Sequence, residues 1–428
     1  MIAIILFGFF FLFLFLDVPI AFSMTLASVL AILFSDKIYL VDVAREMGGA
    51  LQALFPFVAV PYFLLAGEIM NRGGLSTRLV NFAQALVGHR RGGLSMVACL
   101  ASMLFGGISG ASSADTAAIG SIMIPAMRKK GYGKAFATAL AASAGSTGAI
   151  IPPSITMIYL GVVGNLKIES LFLGGIIPGT LIGLSLMTVS YFYARRLGIP
   201  TEPKADAGTV LRTFAGAFFS LLIPLVIVGG IMSGIFTATE SALVAVLCAV
   251  FVGFVVHKEL LFRELPRILV EVAKITAVMG LMISAAFLFA YILSVERVPE
   301  IITGFLLRLS GNNMIFLLLL VNLALLLIGT FMDAGVAIFI LVPVLLPLAG
   351  KIGMDPIHFG VMMVTNLTIG LITPPVGTTL FVACGISRIS ISEVTPSILR
   401  FLCVLFLVQL LITYVPAITL AIPSFFIR

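Results

Sequence analysis

Charged residues are scarce in this 428-residue chain, at 10% of the total, whereas hydrophobic residues make up 61%. A soluble domain carries about 25% charged residues, so this composition excludes a sizeable one. Apolar runs of roughly 17–25 residues, the length that crosses a bilayer, recur instead. The sequence therefore predicts an all-α, polytopic membrane protein. Its net charge of +7 comes from Lys and Arg in short loops, which indicates contact with membrane lipid and not with nucleic acid.

The chain also has few cysteines and histidines, four and three respectively. The four cysteines lie in apolar segments and form no CxxC pair, which argues against a disulfide framework or a zinc site. The three histidines form no HExxH motif, and the chain has no GxxxxGKS or GxxxxGKT loop that would cradle ATP. We therefore expect no catalytic residue, no cofactor and no direct use of ATP.

The first half of the chain, residues 1–194, contains two interrupted membrane segments. In residues 94–127, two apolar arms of about 12–14 residues flank a small-residue centre at 105–115. Arms this short, with basic residues at both ends, predict a re-entrant hairpin that opens to the cytoplasm. In residues 134–164, the pair Pro152-Pro153 must break a membrane helix near its middle, because neither proline donates an amide hydrogen bond.

A polar linker at 195–213 separates this half from the second, residues 214–428. The second half follows the same plan. A hairpin over 313–349, with GTFMDAG at its centre, precedes a membrane helix over 357–386 that Pro374-Pro375 breaks. We therefore predict two structural repeats, each with a re-entrant hairpin followed by a proline-broken helix.

Three other segments bear on the topology. Residues 1–34 form either one kinked span or two short ones, and the sequence favours neither. Residues 50–70 form a span. The stretch 257–274 is amphipathic and suited to the membrane interface, and a separate span over 275–294 follows it.

The two halves share landmarks at matching distances. Asp115 precedes Pro125 by 10 residues, and Asp333 precedes Pro343 by 10. Five predicted crossings separate the hairpins, and this odd number places them on opposite membrane faces. The resulting topology puts most of the 25 Lys and Arg residues on the cytoplasmic side, as the positive-inside rule requires. Inverted repeats with broken helices that meet at the midplane are typical of secondary transporters.

The hairpin tips and the helix breaks are the candidate binding regions, because broken helices expose carbonyls and half-helix N-termini inside the membrane. Carbonyls and hydroxyls suit a hard cation such as sodium, whereas helix N-termini suit a carboxylate. The alternative for the tips is close helix packing by small residues, and hydroxyls near the breaks could bond their own helices. Asp115 and Asp333 follow the two tips and could cap the second arms or ligate an ion; capping is the preferred interpretation.

Four motifs resemble those of a known family, and the likeness extends over essentially the whole chain. They are GGISGASSADTAAIGSIMIPAM (106–127), GYGKAFATALAASAGSTGAIIPPSITMIYLG (131–161), GIFTATESA (234–242) and LITPPVGTTLFV (371–382). Together they are similar to the large membrane subunit of TRAP transporters (tripartite ATP-independent periplasmic transporters). The subunit that they resemble is DctM-like, with the sialic-acid branch as one candidate.

The resemblance implies a sodium-coupled symporter subunit of the bacterial cytoplasmic membrane that imports an organic acid, such as a C4-dicarboxylate or sialic acid. It implies two partners, a small four-helix membrane subunit and a periplasmic substrate-binding protein. It also implies an elevator fold, in which a transport domain of about 94–164 and 313–386 slides against a scaffold of the remaining helices. Scaffold spans near 1–48 and 214–270 would hold the small subunit.

The same resemblance places sodium between each hairpin tip and the neighbouring helix break. The residues that it implies are Ser109, Gly110, Ser112, Ser113, Gly148 and Pro152 in the first half and Gly329, Thr330, Asp333, Gly370 and Thr373 in the second. We expect the carboxylate between the tips, at Ser154, Asn366, Pro374, Pro375 and Thr378.

Two other functions remain as alternatives. A stand-alone elevator symporter would transport a carboxylate with sodium and would need no binding protein. A protein that only anchors partners in the membrane is the other, although the repeated helix breaks argue against it.

Overall fold

The computed structural model describes residues 2–52, 56–199, 201–311 and 313–426. Within these ranges the protein is all-helical and has no β-strand. The helices of the first half are α1 Ile2–Phe15, α2 Ile20–Leu33, α3 Leu40–Gln52, α4 Ala59–Arg72, α5 Leu75–Val87, α6 Gly93–Ser109, α7 Ser112–Lys129, α8 Lys134–Gly145, α9 Ile155–Gly164 and α10 Ile168–Arg196. Those of the second half are α11 Ala207–Met232, α12 Ala238–Phe251, α13 Leu265–Val295, α14 Val298–Leu309, α15 Met314–Phe331, α16 Ala334–Lys351, α17 Pro356–Gly370, α18 Thr378–Ser387, α19 Ile391–Tyr414 and α20 Ala417–Phe426.

Seven of the described helices are long and apolar enough to cross a membrane by themselves. They are α10, α11, α12 with its π-helical extension to Val256, α13, α15, α16 and α19. The other apolar helices are shorter and pair with a neighbour in sequence or in space. The prediction of a multi-pass membrane protein is therefore confirmed.

The N-terminal region contains two helices, which decides between the two alternatives for residues 1–34. Asp17, with a backbone φ of 61°, lies between α1 and α2, and the two helices pack against each other. Phe10 of α1 also packs edge-on against Phe289 of α13, with ring centroids 5.7 Å apart. Part of the span predicted over 50–70 is α4, whereas residues 53–55 lie outside the described residues.

Both predicted hairpins are present. The first consists of α6 and α7, with 17 and 18 residues, joined at Gly110 and Ala111. The second consists of α15 and α16, with 18 residues each, joined at Met332 and Asp333. The predicted arm length of about 12–14 residues was too short, because the small residues around each tip continue the helices almost to the turn.

Both predicted helix breaks are also present. In the first, a 3₁₀ turn over Ser146–Ala149 follows α8, and α9 begins only at Ile155. In the second, the chain leaves the helix between the end of α17 and the start of α18. The Pro152-Pro153 and Pro374-Pro375 peptide bonds within the breaks are cis.

Helix α13 differs from its prediction. It runs for 31 residues without a break, so residues 265–274 belong to a membrane-crossing helix and not to a separate interfacial segment. Pro266 lies in the first turn, where a proline removes no helical hydrogen bond. The charges of Glu271 and Lys274, which suggested an interface, instead face clefts beside this helix.

The hairpins and broken helices of the two halves pack into one unit. Helix α18 lies against α7 and α8, and α9 lies against α16. Helix α10 packs against α6 and against the C-terminal helices α19 and α20. The two helix breaks are thus held by the same body, and each faces a hairpin tip.

Candidate functional site

The first hairpin tip contacts the first helix break through backbone atoms. The Ile155 amide donates a hydrogen bond to the Gly110 carbonyl over 3.1 Å, and the Ser112 hydroxyl makes a longer one, 3.4 Å, to the Ser146 carbonyl. A Cβ atom on Gly106 would lie 2.8 Å from the Cα of Gly148, closer than real Cβ contacts occur. The tip and the break can approach this closely because both residues at the contact are glycines, which have no Cβ atom.

The second tip repeats this arrangement. The Gly377 amide donates to the Thr330 carbonyl over 3.0 Å, so a tip carbonyl again accepts from the start of the second half-helix. A Cβ atom on Gly370 would lie 2.6 Å from the Cα of Gly329. The structure therefore brings Gly110 to the first break and Gly329, Thr330 and Gly370 to the second contact.

Asp115 is buried at the first contact, with 0% of its surface exposed. Neither carboxylate oxygen has a hydrogen-bond partner among the described residues, and a Cβ atom on Gly148 would lie 2.9 Å from Asp115 Oδ2. The N-cap of α7 is Ala111, and no side chain caps this end. The capping prediction is therefore wrong for Asp115, because α7 begins three residues before it.

Several hydroxyls around the first tip are likewise buried without a hydrogen-bond partner in the described part of the chain. They belong to Ser102, Ser109, Thr116 and Ser143. Ser102 lies beside the Asp115 carboxylate, whereas Ser113 lies on the exposed side of α7. Across the described residues, no three His, Cys, Asp or Glu side chains form a metal-binding group. A cation here would need mainly hydroxyl and carbonyl ligands, with Asp115 as the charge.

Asp333 behaves differently from Asp115. Its Oδ1 accepts a hydrogen bond of 2.9 Å from the Gly335 amide and caps α16, as predicted. The Thr330 hydroxyl donates to the Leu326 carbonyl of its own helix, and the Thr373 hydroxyl donates to the Ile369 carbonyl of the preceding α17, each over 2.9 Å. Their protons are thus used locally, and only their oxygen lone pairs could contact an ion.

The predicted substrate residues divide into two groups. Ser154 caps α9, where its hydroxyl accepts from the Met157 amide over 3.2 Å, and the Asn366 amide donates to Asn322 Oδ1 over 2.6 Å. Both side chains are buried in internal hydrogen bonds. Pro374, Pro375 and Thr378 lie instead at the start of α18, whose N-terminus has no side-chain cap. Pro375 is exposed there.

Two cavities border α13. The first, of about 230 Å³, lies between α4, α13 and the first tip, and Ser109 lines it. The second, of about 390 Å³, lies between α13 and the second hairpin and is lined by Tyr159, Lys274 and Asp333. Ile275 borders both cavities, so α13 forms one wall of each, and each cavity lies beside a different hairpin tip.

Sequence reasoning missed Lys274 and Tyr159. Lys274 had been assigned to a cytoplasmic interface, although no proline or glycine lies between Pro266 and Gly280 to end a helix. That uninterrupted run was the signal that could have placed it on a long helix. Tyr159 carries no comparable sequence signal.

The chain is similar to several transport proteins. A family profile described as "Tripartite ATP-independent periplasmic transporter, DctM component" matches residues 7–418. The C4-dicarboxylate TRAP transporter large permease protein DctM of Pseudomonas aeruginosa is 40% identical, over 86% of each chain. The sialic acid TRAP transporter large permease protein SiaM of Vibrio cholerae is 39% identical, over 96% of this chain and 95% of that one.

A third relative is longer than this chain. The isethionate TRAP transporter permease protein DctMQ of Oleidesulfovibrio alaskensis is 41% identical over 99% of this chain, which spans 66% of that protein. Among solved structures, the YdaH transporter of Alcanivorax borkumensis matches with a TM-score of 0.62 over 86% of each chain, at 15% identity. That likeness concerns the fold alone. The family profile matches nearly the full length of the chain, and the relatives are about 40% identical to it. The chain therefore belongs to the DctM component family of tripartite ATP-independent periplasmic transporters.

Proposed function

We propose that this chain is the transport subunit of a sodium-coupled symporter that imports an organic acid by an elevator motion. The observation that carries the proposal is the contact of each hairpin tip with a helix break, with the unpartnered Asp115 carboxylate buried at the first contact. Such irregular backbone is tolerated inside a membrane only where it binds something or lines a cavity.

Sodium fits the first contact because a buried carboxylate without a counter-charge is costly. A cation beside Asp115 would compensate that charge, and the carbonyls of the break with the hydroxyls of Ser109 and Ser112 would complete its ligands. The second contact offers mainly carbonyls. A Cβ atom on Gly377 would lie 2.9 Å and 3.0 Å from the carbonyl oxygens of Leu371 and Thr373, so these oxygens converge. The Leu371 oxygen also accepts from the Thr379 and Leu380 amides, which leaves the Thr373 oxygen as the freer of the two.

An organic acid fits the second half-helix. The relatives named for C4-dicarboxylate, sialic acid and isethionate transport each carry an anion. The N-terminus of α18 has no side-chain cap, but its Thr379 and Leu380 amides donate to the Leu371 carbonyl. An anion there would gain mainly from the positive end of the helix dipole. Pro374, Pro375 and Thr378 would then border the acid, while Ser154 and Asn366 would shape the site through their internal hydrogen bonds.

The elevator would move residues 94–164 and 313–386 as a transport domain against the remaining helices. Large exposed apolar side chains on α1 to α3 and on α11 to α13 support a contact of the scaffold with a small membrane subunit or with lipid. A periplasmic binding protein would deliver the acid, as the family description implies.

Transport by reconstituted protein tests the proposal. Proteoliposomes with this chain and its small membrane subunit would be given labelled succinate, N-acetylneuraminate or isethionate, with and without a purified binding protein. We expect uptake of at least one acid that requires both the binding protein and an inward sodium gradient. Equal uptake in potassium would overturn sodium coupling, and uptake without the binding protein would favour a stand-alone symporter.

A further inference from the structure

An unpaired lysine lines the cavity beside the second hairpin tip. Lys274 is on the α13 wall of this cavity of about 390 Å³. It lies ten residues into a 31-residue helix, or about 14 Å from the N-terminal end at 1.5 Å per residue. Among the described residues, no carboxylate lies within 4.0 Å of its ammonium group.

The neighbouring groups form no ion pair with Lys274. Asp333 borders the same cavity, but its carboxylate lies more than 4.0 Å from the ammonium group and caps α16 by accepting from the Gly335 amide. The Tyr159 hydroxyl contacts the sulfur of Met279 at 2.8 Å. The rest of the wall is apolar and includes Met282 and Phe339. The Lys274 side chain is exposed and forms no ion pair, so it could bind an anion that enters the cavity without giving up a protein partner.

Arg72, unlike Lys274, is paired with carboxylates. It lies near the first cavity and is paired with Glu68 at 2.6 Å and Glu271 at 3.0 Å. Its charge is thus balanced by two carboxylates on the scaffold helices α4 and α13. Lys274, one turn beyond Glu271 on the same helix, has no such partner.

We propose that the Lys274 ammonium binds the anionic group of the transported acid on the α13 side of this cavity, opposite the second tip. This inference rests on the proposed function and names a scaffold residue that recognises the substrate. A volume of about 390 Å³ lies within the range of small-molecule sites. The ammonium is a point charge, so it suits carboxylates and sulfonates alike.

Substitution of Lys274 tests the assignment in the reconstituted complex. With Lys274→Gln we expect the KM for the transported acid to rise about tenfold or more, at an unchanged half-saturating sodium concentration. Lys274→Arg, which keeps the charge, should keep the KM within about threefold of the unaltered complex. The matched control is Arg263→Gln, an exposed cation that precedes α13 and should leave the KM unchanged.

Chemical modification provides a second measurement if Lys274→Gln reaches the membrane poorly. Lys274→Cys would be made with Cys403→Ser, because Cys403 is the exposed cysteine of the described residues. An aminoethyl thiosulfonate reagent should restore uptake, and a sulfoethyl reagent should not. Equal responses to the two reagents, or an unchanged KM in Lys274→Gln, would overturn the Lys274 assignment alone. Absence of any sodium-dependent uptake by the unaltered complex would overturn the proposed function as well.

Discussion

Two aspartates at equivalent repeat positions have different surroundings. Asp333 directly precedes α16 and caps it, whereas Asp115 lies within α7 and is buried without a partner. The sequence could predict that both follow a hairpin tip. It could not predict which one caps, because that depends on whether the turn ends at Ala111 or at Asp115, and small residues fit either register.

Removal of the buried charge should weaken sodium binding. We expect Asp115→Asn to raise the half-saturating sodium concentration about tenfold, which corresponds to about 1.4 kcal/mol, while the protein still folds because the amide has the same shape. Sodium titration of uptake measures this. Asp355→Asn is the control, since Asp355 caps α17 and asparagine caps equally well. An unchanged titration for Asp115→Asn would exclude this carboxylate as an ion ligand.

The two serines of the first tip, Ser112 and Ser113, should differ in their effect on sodium-dependent uptake. Replacement of both Ser112 and Ser113 with alanine should reduce sodium-dependent uptake, because Ser112 is buried at the break and bonds the Ser146 carbonyl. The single Ser113→Ala variant should keep most of the activity, since this side chain is on the exposed side of α7. Uptake by the two single variants and the double variant at low sodium tests this. Unchanged sodium dependence in the double variant would contradict the first-tip assignment.

At the level of helices, the prolines predicted the breaks and the small residues predicted the tips. The sequence could not predict that each tip touches a break through a glycine pair, because this depends on how two distant segments pack. It also failed for α13, where charged residues that face a cleft have the same pattern as residues at an interface. The spacing of charged and apolar residues along a helix is the same whether its charged side faces a cleft of the protein or the membrane surface.

A methyl group at a glycine contact should separate tip and break. Gly370→Ala would place its Cβ 2.6 Å from Gly329 Cα, and such overpacking costs about 1–3 kcal/mol. We expect a lower melting temperature and a large loss of uptake. Gly385→Ala is the matched control, because Gly385 lies in α18 and its Cβ would meet no atom within 4 Å. Equal behaviour of the two variants would show that the contact is not required.

At the level of the whole molecule, the helices of the two halves form one packed unit around both breaks, although the chain separates them by about half its length. The repeat could be predicted from matching landmarks, and the pairing of α18 with α7 and α8 could not. That pairing requires three-dimensional packing that no local pattern encodes. It also joins the segments proposed to move together.

A cross-link between the proposed moving and fixed parts should stop transport. A Cβ atom on Gly107 of α6 would lie 3.4 Å from the Cβ of Pro224 on α11, near the 3.5–4.5 Å typical of a disulfide. With Gly107→Cys and Pro224→Cys combined, oxidation should abolish uptake and a reducing agent should restore it. Each single cysteine variant is a control. Full uptake by the oxidised, cross-linked protein would contradict sliding of α6 against α11.

The lengths of two packed helices have a consequence for the surrounding lipid. Helix α2 has 14 residues, about 21 Å at 1.5 Å per residue, whereas α13 has 31, about 46 Å. The hydrocarbon core of a bilayer is about 30 Å thick. Helix α13 can tilt or extend beyond this core, whereas α2, which packs against it, is shorter than the core. We expect the bilayer beside α2 to thin, which would shorten the hydrophobic barrier at that edge of the protein.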